Sequence, residues 1–333
     1  FACEERRLLF VQLSPFPNAA QQLFLFRVDT DFCSAELAEK LYELCRKYHI
    51  HGTWFVDTVS HDRLTGIYSR MPDQEIGLHC HRHLVFTDYA TNWENIENGL
   101  HDLQKNGIKV RGFAAPFGDW NENLAQVLAE KGFRYSSEFT LNYDDLPFYP
   151  VVKNHFSPVL QIPVHPVSSG RMRRSHFSED EMWQYFKTHL ENCLRSHDPI
   201  LIYHHPSHGH LSVFERIFAF IEEKKIPSCT YDEFAEWWLK RHNLKFNCEF
   251  SENTLYCQTD EFPTDLFIRI HFAGKTAVCS WQDRIDFNDL NWQEEAAKSL
   301  PEALTEIRKW HWRDAVYNHE SKKGKRYHAH LSR

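Results

Sequence analysis

The sequence has no long apolar run, no paired-cysteine motif and no excess of basic residues. None of its segments approaches the roughly 18 consecutive apolar residues that cross a bilayer, so no transmembrane helix is expected. The nine cysteines contain no Cys-x-x-Cys pair, which argues against a disulfide framework or a cysteine zinc site and favours a reducing compartment. The net charge of −8 argues against a nucleic-acid partner or an anionic-membrane partner. We therefore expect a cytoplasmic protein with a small-molecule or glycan partner.

The composition is that of a folded protein with a substantial core. The chain has 333 residues, of which 42% are hydrophobic and 15% aromatic. This length suits one large domain with a smaller one, or two ordinary domains. The first residues show no signal-peptide pattern, which is a second reason to expect a cytoplasmic location.

Short β-rich runs alternate with amphipathic helical windows over about the first 240 residues. This pattern is typical of a parallel sheet wound with helices. One helical window follows Ser34, a residue suited to capping a helix, and places Leu37, Leu41 and Leu44 on one face. The predicted strands are 23–28, 53–56, 74–78, 110–114, 133–136, 160–164 and 200–203.

The pattern changes near residue 243. Four short β-rich runs follow, then a helix rich in Glu and Trp and a basic tail, "SKKGKR". We predict an N-terminal extension at 1–21, a main domain at 22–243 and a small α+β domain at 244–333. The last domain shows no catalytic spacing, so we expect it to support the main domain or to mediate self-association.

Polar residues gather where the predicted strands end. In a parallel sheet, ligands and chemistry collect at the carboxyl ends of the strands. The residues that follow these ends are Asp29 and Asp31, Asp57, the three histidines His79, His81 and His83, the segment Pro116-Phe117-Gly118, Glu138, and the pair His204 and His205. One edge of the sheet is therefore expected to hold both carboxylates and imidazoles.

Carboxylate oxygen and imidazole nitrogen together form a ligand set suited to zinc, iron, cobalt or nickel, rather than to calcium or magnesium. His79 and His83 have the i, i+4 spacing that a helical turn or tight loop would bring to one ion, whereas His79 and His81 would share a face only in an extended segment. The residues alone leave both pairs open. His204 and His205 are adjacent, so we expect only one of them to face the site.

Several of these residues also have a simpler interpretation. Asp29 or Asp31 could cap the helix that follows the first strand. Asp57 could be a turn residue, and Glu138 a loop charge. Trp54 and Trp120 could form a stacking wall for a sugar, although core packing explains them as well.

The motifs "FRVDTDF" and "EIGLHCHRH" resemble those of the polysaccharide deacetylases of the NodB-homology family. These enzymes are metal-dependent N- or O-deacetylases built on an irregular (β/α) barrel. The resemblance spans roughly residues 22–240 and is greatest to the branch with lipid-sugar deformylases and cell-surface glycan biosynthesis enzymes. It implies an α/β fold, an irregular (β/α) barrel of about seven parallel strands, and the residue pattern after 243 adds a small C-terminal mainly-β (α+β) domain.

The resemblance also implies a set of roles. Asp31, His79 and His83 correspond to the ligands of one divalent metal ion, with zinc first and iron, cobalt or nickel as alternatives. Asp29 corresponds to the catalytic base. Thr30 separates the two aspartates, which are adjacent in most members, so their roles could be exchanged.

The remaining family motifs are only partly present. In "FAAPFG", Ala114 stands where the family has an arginine that orients the base, and Arg111 is the nearby candidate to replace it. The same motif implies a role for Phe117 in stabilising the oxyanion, and Trp120 is a candidate substrate contact. The fourth motif is reduced to "YSSEF". In the last, "LIYHHP", His205 corresponds to the general acid.

The implied function is a metal-dependent hydrolase that removes an acetyl or formyl group from an amino sugar or glycan in surface polysaccharide or lipopolysaccharide biosynthesis. Its substrate would be an acylated sugar, nucleotide sugar, lipid-linked sugar or oligosaccharide. One alternative is a metallo-β-lactamase-like or amidohydrolase-like hydrolase that uses His79 and His81 as an extended ligand pair. Another is a catalytically silent glycan-binding homologue, as the alanine at position 114 suggests.

Overall fold

The structure, a computed structural model, describes residues 8–17, 20–60, 65–140, 145–260 and 266–294. In chain order the strands are β1 (Phe10–Leu13), β2 (Phe24–Asp29), β3 (Gly52–Val56), β4 (Glu75–Leu78), β5 (Gly112–Phe113), β6 (Tyr135–Ser136), β7 (Val151–Val152), β8 (His155–Phe156), β9 (Leu160–Gln161), β10 (Ile200–His204), β11 (Phe246–Ser251), β12 (Thr254–Thr259), β13 (Phe267–Phe272), β14 (Lys275–Ser280), β15 (Arg284–Asp286) and β16 (Gln293–Glu294). The helices are α1 (Ala35–Lys47), α2 (Thr65–Tyr68), α3 (Tyr89–Lys105), α4 (Glu122–Glu130), α5 (Ser169–Arg174), α6 (Glu179–Ser196), α7 (Leu211–Glu223) and α8 (Tyr231–Asn243).

A seven-stranded parallel sheet forms the centre of the fold, with the strand order β10-β2-β3-β4-β5-β6-β9. Every neighbouring pair is parallel. The sheet curls into a half-barrel, and the described residues show no pairing between its edge strands β9 and β10. The predicted α/β class, with about seven parallel strands of an irregular (β/α) barrel, is therefore confirmed, although several strands are shorter than predicted.

Helices cover the convex, outer face of this sheet. As predicted, the Ser34 side chain caps α1 by accepting from the Leu37 amide, and Asn121 caps α4 by accepting from the Leu124 amide. These caps satisfy amides that would otherwise have no partner at a helix start. The buried residues that the helices contribute to the outer core include Leu41, Ile96, Leu103, Leu124, Phe186 and Phe214.

A second apolar core fills the concave, inner face. Side chains alternate along a strand, so Phe24 and Phe26 of β2 belong to the outer core whereas Leu25 belongs to the inner one. Helix α8 closes this inner face with Phe234 and Trp238. Both faces of the sheet are therefore dry, and only its two ends are open to polar chemistry.

The C-terminal strands complete the inner core. They form two small antiparallel sheets, β11-β12-β15 and β1-β13-β14-β16, which confirms the predicted mainly-β character. Strand β1 pairs with β13, and the Trp237 indole of α8 donates a hydrogen bond to the Pro15 carbonyl at 3.1 Å. Leu255 and Ile268 join the same inner core as Leu201. The predicted ranges 1–21, 22–243 and 244–333 thus share one core across their boundaries.

Two predictions for the C-terminal part of the chain are not tested by the structure. The predicted Glu- and Trp-rich helix and the basic tail within 295–333 lie outside the described residues. Self-association through the C-terminal part stays a prediction. Among the described helices, none combines the length and the apolar character needed to cross a membrane.

Candidate metal centre

Three buried side chains converge at the carboxyl end of the sheet. Asp31 follows β2, His79 follows β4 directly, and His83 lies four residues further on. The His79 and His83 Nε2 atoms are 3.1 Å apart, and Asp31 Oδ1 lies 4.0 Å from the first and 3.9 Å from the second. Ligand atoms about 2.0–2.2 Å from one zinc ion have separations close to these. The three atoms are therefore spaced as a group that could hold one metal ion.

The orientation of His79 is fixed by the backbone behind it. Its Nδ1 lies 2.6 Å from the Ala114 carbonyl oxygen, which can only accept a hydrogen bond, so Nδ1 must carry the proton. In the neutral ring Nε2 is then unprotonated and presents its lone pair to the other two ligand atoms. Metal-binding histidines are held in this way by a partner on their second nitrogen.

The donor set fits a divalent cation. Among the described residues, no hydrogen-bond donor contacts the buried Asp31 Oδ1. An unpaired buried carboxylate is costly, and a cation would offset that cost. Burial, the largest influence, lowers the pKa of His83 to about 4, with the neighbouring His79 acting in the same direction, so the ring is neutral and able to act as a ligand at neutral pH.

His81 points away from this centre. Its Nδ1 lies 2.8 Å from Thr58 Oγ1 and 3.1 Å from Asp102 Oδ2 on α3. Cys80 adopts a left-handed backbone conformation with φ 68°, which turns the chain directly after His79. The segment is therefore not extended, and the alternative ligand pair of His79 and His81 is wrong. The i, i+4 pair is the one that the fold assembles.

Asp29 is buried beside the metal ligands at the end of β2. Its two carboxylate oxygens accept hydrogen bonds from Arg27 Nε at 2.6 Å and Nη2 at 2.8 Å. Burial alone would raise the pKa of Asp29, but the Arg27 charge and its hydrogen bonds outweigh burial and hold that pKa well below its ordinary range. Asp29 is therefore ionised at neutral pH.

Of the two adjacent histidines at the end of β10, only His205 faces the centre. Its Nε2 lies 3.4 Å from Asp31 Oδ1 and 3.8 Å from Asp29 Oδ2. His204 points to the outer core, where its ring packs against Phe214 with centroids 3.9 Å apart. The alternation expected of an extended segment is thus observed.

Residues 28–136, which include both aspartates and the histidine cluster, match the family model described as Polysaccharide deacetylase. The predicted resemblance to this family is confirmed. The match also supports, at the level of the family, a hydrolase of the polysaccharide deacetylase type. Members of this family use a divalent metal ion, and Asp31, His79 and His83 are the buried group that could hold one here. A search of curated protein sequences found no match.

Solved structures share the fold at low sequence identity. A Mycobacterium smegmatis protein described as a polysaccharide deacetylase is 18% identical, with a TM-score of 0.58 over 69% of this chain and 94% of its own. PuuE allantoinase is 16% identical, with a TM-score of 0.57 over 68% and 94%. A Pseudomonas aeruginosa PAO1 protein described as a polysaccharide deacetylase is 15% identical, with a TM-score of 0.55 over 68% and 93%. At these identities the likeness establishes the fold alone.

The segment 113–118 differs from the family motif at position 114, where the family has an arginine and this chain has alanine. Ala114 is fully buried in the inner core. Arg111 does not replace the missing arginine, because it precedes the short strand β5 and so lies at the opposite end of the sheet. There its charge acts on Asp232, which is paired with Arg134 at 2.6 Å. The prediction that Arg111 reaches the site is therefore wrong.

Two exposed aromatic rings flank His83 at the mouth of the centre. Phe117 is 53% exposed and its ring meets His83 edge-on at 5.1 Å; Phe32 is 57% exposed and meets it at 5.7 Å. Both adopt positive φ angles, 61° and 56°, which are unusual for phenylalanine. Such strain at a functional edge indicates that the surrounding structure imposes these positions.

Trp120 and Trp54 lie in different surroundings. Trp120 packs against Phe139 with ring centroids 5.5 Å apart, and its Nε1 has no hydrogen-bond partner among the described residues. A role for Trp120 in substrate contact stays a prediction. Trp54 is fully buried in the outer core, so it cannot form a wall for a sugar.

Glu138 is a site-supporting residue whose role the sequence left undecided. It is buried after β6, where it accepts hydrogen bonds from the Ala115 amide at 3.2 Å and from Ser136 Oγ at 2.9 Å. The first bond ties the loop that carries Phe117 to the next strand of the sheet. Its position just beyond the carboxyl end of β6 was the sequence signal for a place near the site.

Proposed function

We propose that the protein is a metal-dependent hydrolase that removes an acetyl or formyl group from an amino sugar or glycan. The observation that carries the proposal is the convergence of Asp31, His79 and His83 on one point, with Asp29 and His205 beside it. A carboxylate and two neutral imidazoles suit zinc first, with iron, cobalt or nickel as alternatives.

A divalent ion bound there would polarise an acyl carbonyl and lower the pKa of water toward about 7. The ionised Asp29 carboxylate would accept the proton of the attacking water. His205, whose Nε2 lies between the two aspartates, would donate a proton to the departing amine. Together the two transfers would move one proton from the attacking water to the amine nitrogen as the amide C–N bond breaks.

The loop at Pro116–Gly118 would stabilise the oxyanion. The half-exposed Phe117 ring lies 5.1 Å from the His83 ring, which places this loop beside the candidate ligands. A well-aimed donor at an oxyanion is worth about 3–4 kcal/mol. The bond from the Ala115 amide to Glu138 supports this role because it fixes the start of the loop.

The mouth of the site supports a carbohydrate substrate. Phe32 and Phe117 present aromatic surface to solvent on either side of the metal ligand His83. Aromatic side chains pack well against flat apolar surfaces such as one face of a sugar ring. We assign the reaction to surface polysaccharide or lipopolysaccharide biosynthesis, with an acylated sugar, nucleotide sugar, lipid-linked sugar or oligosaccharide as substrate.

A catalytically silent glycan-binding homologue is the second candidate. The observation that favours it is Ala114, since the family places an arginine there to orient the base. Such a protein would bind an acylated sugar at the same mouth without releasing the acyl group. Both candidates would therefore bind an acylated sugar, but only the hydrolase would release the acyl group.

Metal analysis combined with acyl release tests the proposal. Purified protein would be analysed for zinc, iron, cobalt and nickel and incubated with N-acetylated and N-formylated nucleotide sugars, lipid-linked sugars and oligosaccharides, with acetate and formate measured. We expect about one divalent ion per chain and release from at least one class. Stoichiometric metal with sugar binding but no release over hours would favour the silent homologue, and protein that binds no divalent metal would contradict both.

A further inference from the structure

We propose that Arg27 is a positioning residue that fixes the Asp29 carboxylate, in place of the arginine missing at position 114. The kinetic part of this inference rests on the proposed function, whereas its geometric part stands on the side-chain contacts alone. It assigns a role in the reaction to the residue two positions before the proposed base.

The spacing of the two residues on β2 makes the pairing direct. Arg27 and Asp29 are i and i+2 on one strand, so their side chains leave the same face of the sheet. Nε donates to Oδ1 at 2.6 Å and Nη2 donates to Oδ2 at 2.8 Å. This two-pronged arrangement fixes the plane of the carboxylate as well as its position, which a single contact would not do.

Arg27 is itself held on its remaining sides. Its Nη1 donates to the Ser137 carbonyl at 2.6 Å and to Ser137 Oγ at 3.1 Å. Its guanidinium carbon lies 5.2 Å from the centre of the Phe55 ring and 5.8 Å from that of Tyr203. The residue is only 3% exposed. The guanidinium therefore cannot rotate away, and it transfers this rigidity to Asp29.

The surroundings of Ala114 agree with this exchange of positions. The Ala114 methyl group belongs to the same inner core as Phe55, against which the Arg27 guanidinium packs. The Ala114 carbonyl meanwhile accepts a hydrogen bond from His79 Nδ1. The backbone of residue 114 thus orients the candidate ligand His79, while Arg27 on β2 orients the Asp29 carboxylate. The alanine does not leave Asp29 without a partner.

Two substitutions of Arg27 separate charge from geometry. Arg27→Lys keeps a positive charge but cannot form the two-pronged contact, and we expect kcat to fall about tenfold. Arg27→Met removes both, and we expect a fall of about 100-fold, the size expected when a reacting group is misplaced by about 1 Å. In both variants KM should change by less than about threefold, because Arg27 is too deeply buried to contact substrate.

A double-variant cycle keeps the test valid if Arg27→Met folds poorly. Asp29→Asn removes the base, and Arg27→Met combined with it leaves no unpaired charge in the core. If Arg27 acts only through Asp29, the double variant should have the same residual kcat as Asp29→Asn alone. A further loss in the double variant, with metal content unchanged, would overturn the proposal.

Arg134→Met is the matched control. Arg134 forms a guanidinium–carboxylate pair with Asp232 at 2.6 Å on the same sheet, but at its amino end. We expect its kcat to match that of the wild type. Equal losses in Arg134→Met and Arg27→Met would show a general effect of removing an arginine and would overturn the positioning role.

Crystal structures of the wild type and of Arg27→Met provide a readout that does not depend on activity. We expect the Asp29 carboxylate to rotate in the variant while Asp31, His79 and His83 keep their positions and bound metal. A carboxylate that stays in place without Arg27 would overturn the inference. A wild type that releases no acyl group overturns the proposed function instead, and the crystallographic comparison then decides the geometric role of Arg27 by itself.

Discussion

The two ends of the seven-stranded sheet bury carboxylates in opposite ways. At the amino end, Glu75 accepts hydrogen bonds from the Tyr135 hydroxyl at 2.6 Å, from the Thr53 hydroxyl at 2.8 Å and from the Asp232 amide at 2.9 Å. At the carboxyl end, Asp31 Oδ1 has no hydrogen bond among the described residues and lies 3.4 to 4.0 Å from the imidazole nitrogens of His79, His83 and His205. The first carboxylate is satisfied by the protein, whereas the second is arranged for a ligand.

This difference shows how a structural acid can be distinguished from a functional one. Both groups lie on the same sheet, and burial raises the pKa of each. Burial and a perturbed pKa therefore do not identify the site by themselves. The deciding feature is a buried acceptor without a hydrogen bond next to the Nε2 atoms of His79 and His83, an arrangement that a bound cation would complete.

The largest expected effect is loss of the candidate metal site at the carboxyl end of the sheet. His83→Ala removes one of three ligand atoms, so we expect the bound metal to be lost and hydrolysis to fall by more than about 100-fold, the upper end of the effects seen when only a supporting partner of a ligand is removed. Metal content and acyl release measure this. His81→Ala is the matched control in the same loop, since His81 faces Thr58 and Asp102. A His83→Ala protein that keeps its metal would refute the ligand assignment.

The second prediction compares substitutions of two buried carboxylates, one from each end of the sheet. Asp29→Asn should keep the metal but lose about 10²- to 10⁴-fold in kcat, because the proposed base can no longer take a proton. Glu75→Gln, its counterpart at the amino end, should leave kcat unchanged. Both variants would be assayed for metal content and acyl release. If Asp29→Asn were as active as the wild type, Asp29 would not be the base.

The third prediction concerns the amino end of the sheet, where the stability contributed by Glu75 should depend on pH. Burial raises the pKa of Glu75 from its ordinary 4.5 to about 7, and the hydrogen bonds it accepts act in the opposite direction. The folded state therefore binds this proton more tightly than the unfolded state. The stability that Glu75 contributes is fully present below about pH 4.5 and is lost as the pH rises through about 7.

The size of this effect is on the order of 3 kcal/mol in the free energy of unfolding, at 1.36 kcal/mol for each unit of pKa difference. Denaturant unfolding of the wild type and of Glu75→Gln at several pH values would measure it. We expect the difference between the two proteins to change across pH 4.5 to 7. Parallel curves would show that Glu75 titrates normally in the folded protein.

The smallest expected effect concerns the mouth of the carboxyl end. Phe32→Ala should raise KM about two- to twelvefold with little change in kcat, since an aromatic contact is worth about 0.5–1.5 kcal/mol. Steady-state kinetics on the substrate identified by acyl release would measure this. Phe156→Ala, which removes an exposed phenylalanine on β8, is the control. Equal KM values in wild type and Phe32→Ala would exclude Phe32 from substrate binding.

The sequence predicted much of the fold and the composition of the candidate site. The strand and helix windows could be located because burial on both faces of a parallel sheet imposes apolar runs, and helix caps such as Ser34 and Asn121 mark their own helices. Asp31 and His79 could be placed at one edge because parallel strands share a direction. Arg27 was overlooked, although its i, i+2 spacing to Asp29 was visible in "FRVDTDF".

By itself the sequence determined the seven strands of the central sheet, their parallel direction, and the Asp and His residues near their carboxyl ends. Only the tertiary structure decided which side chains meet. The turn at Cys80 selects His83 over His81, the short strand β5 separates Arg111 from the site, and the inner core brings Arg27 rather than residue 114 to Asp29. The physical reason is that periodicity fixes the face of an element on which a residue lies, whereas contacts across the sheet depend on backbone turns and packing that no local pattern encodes.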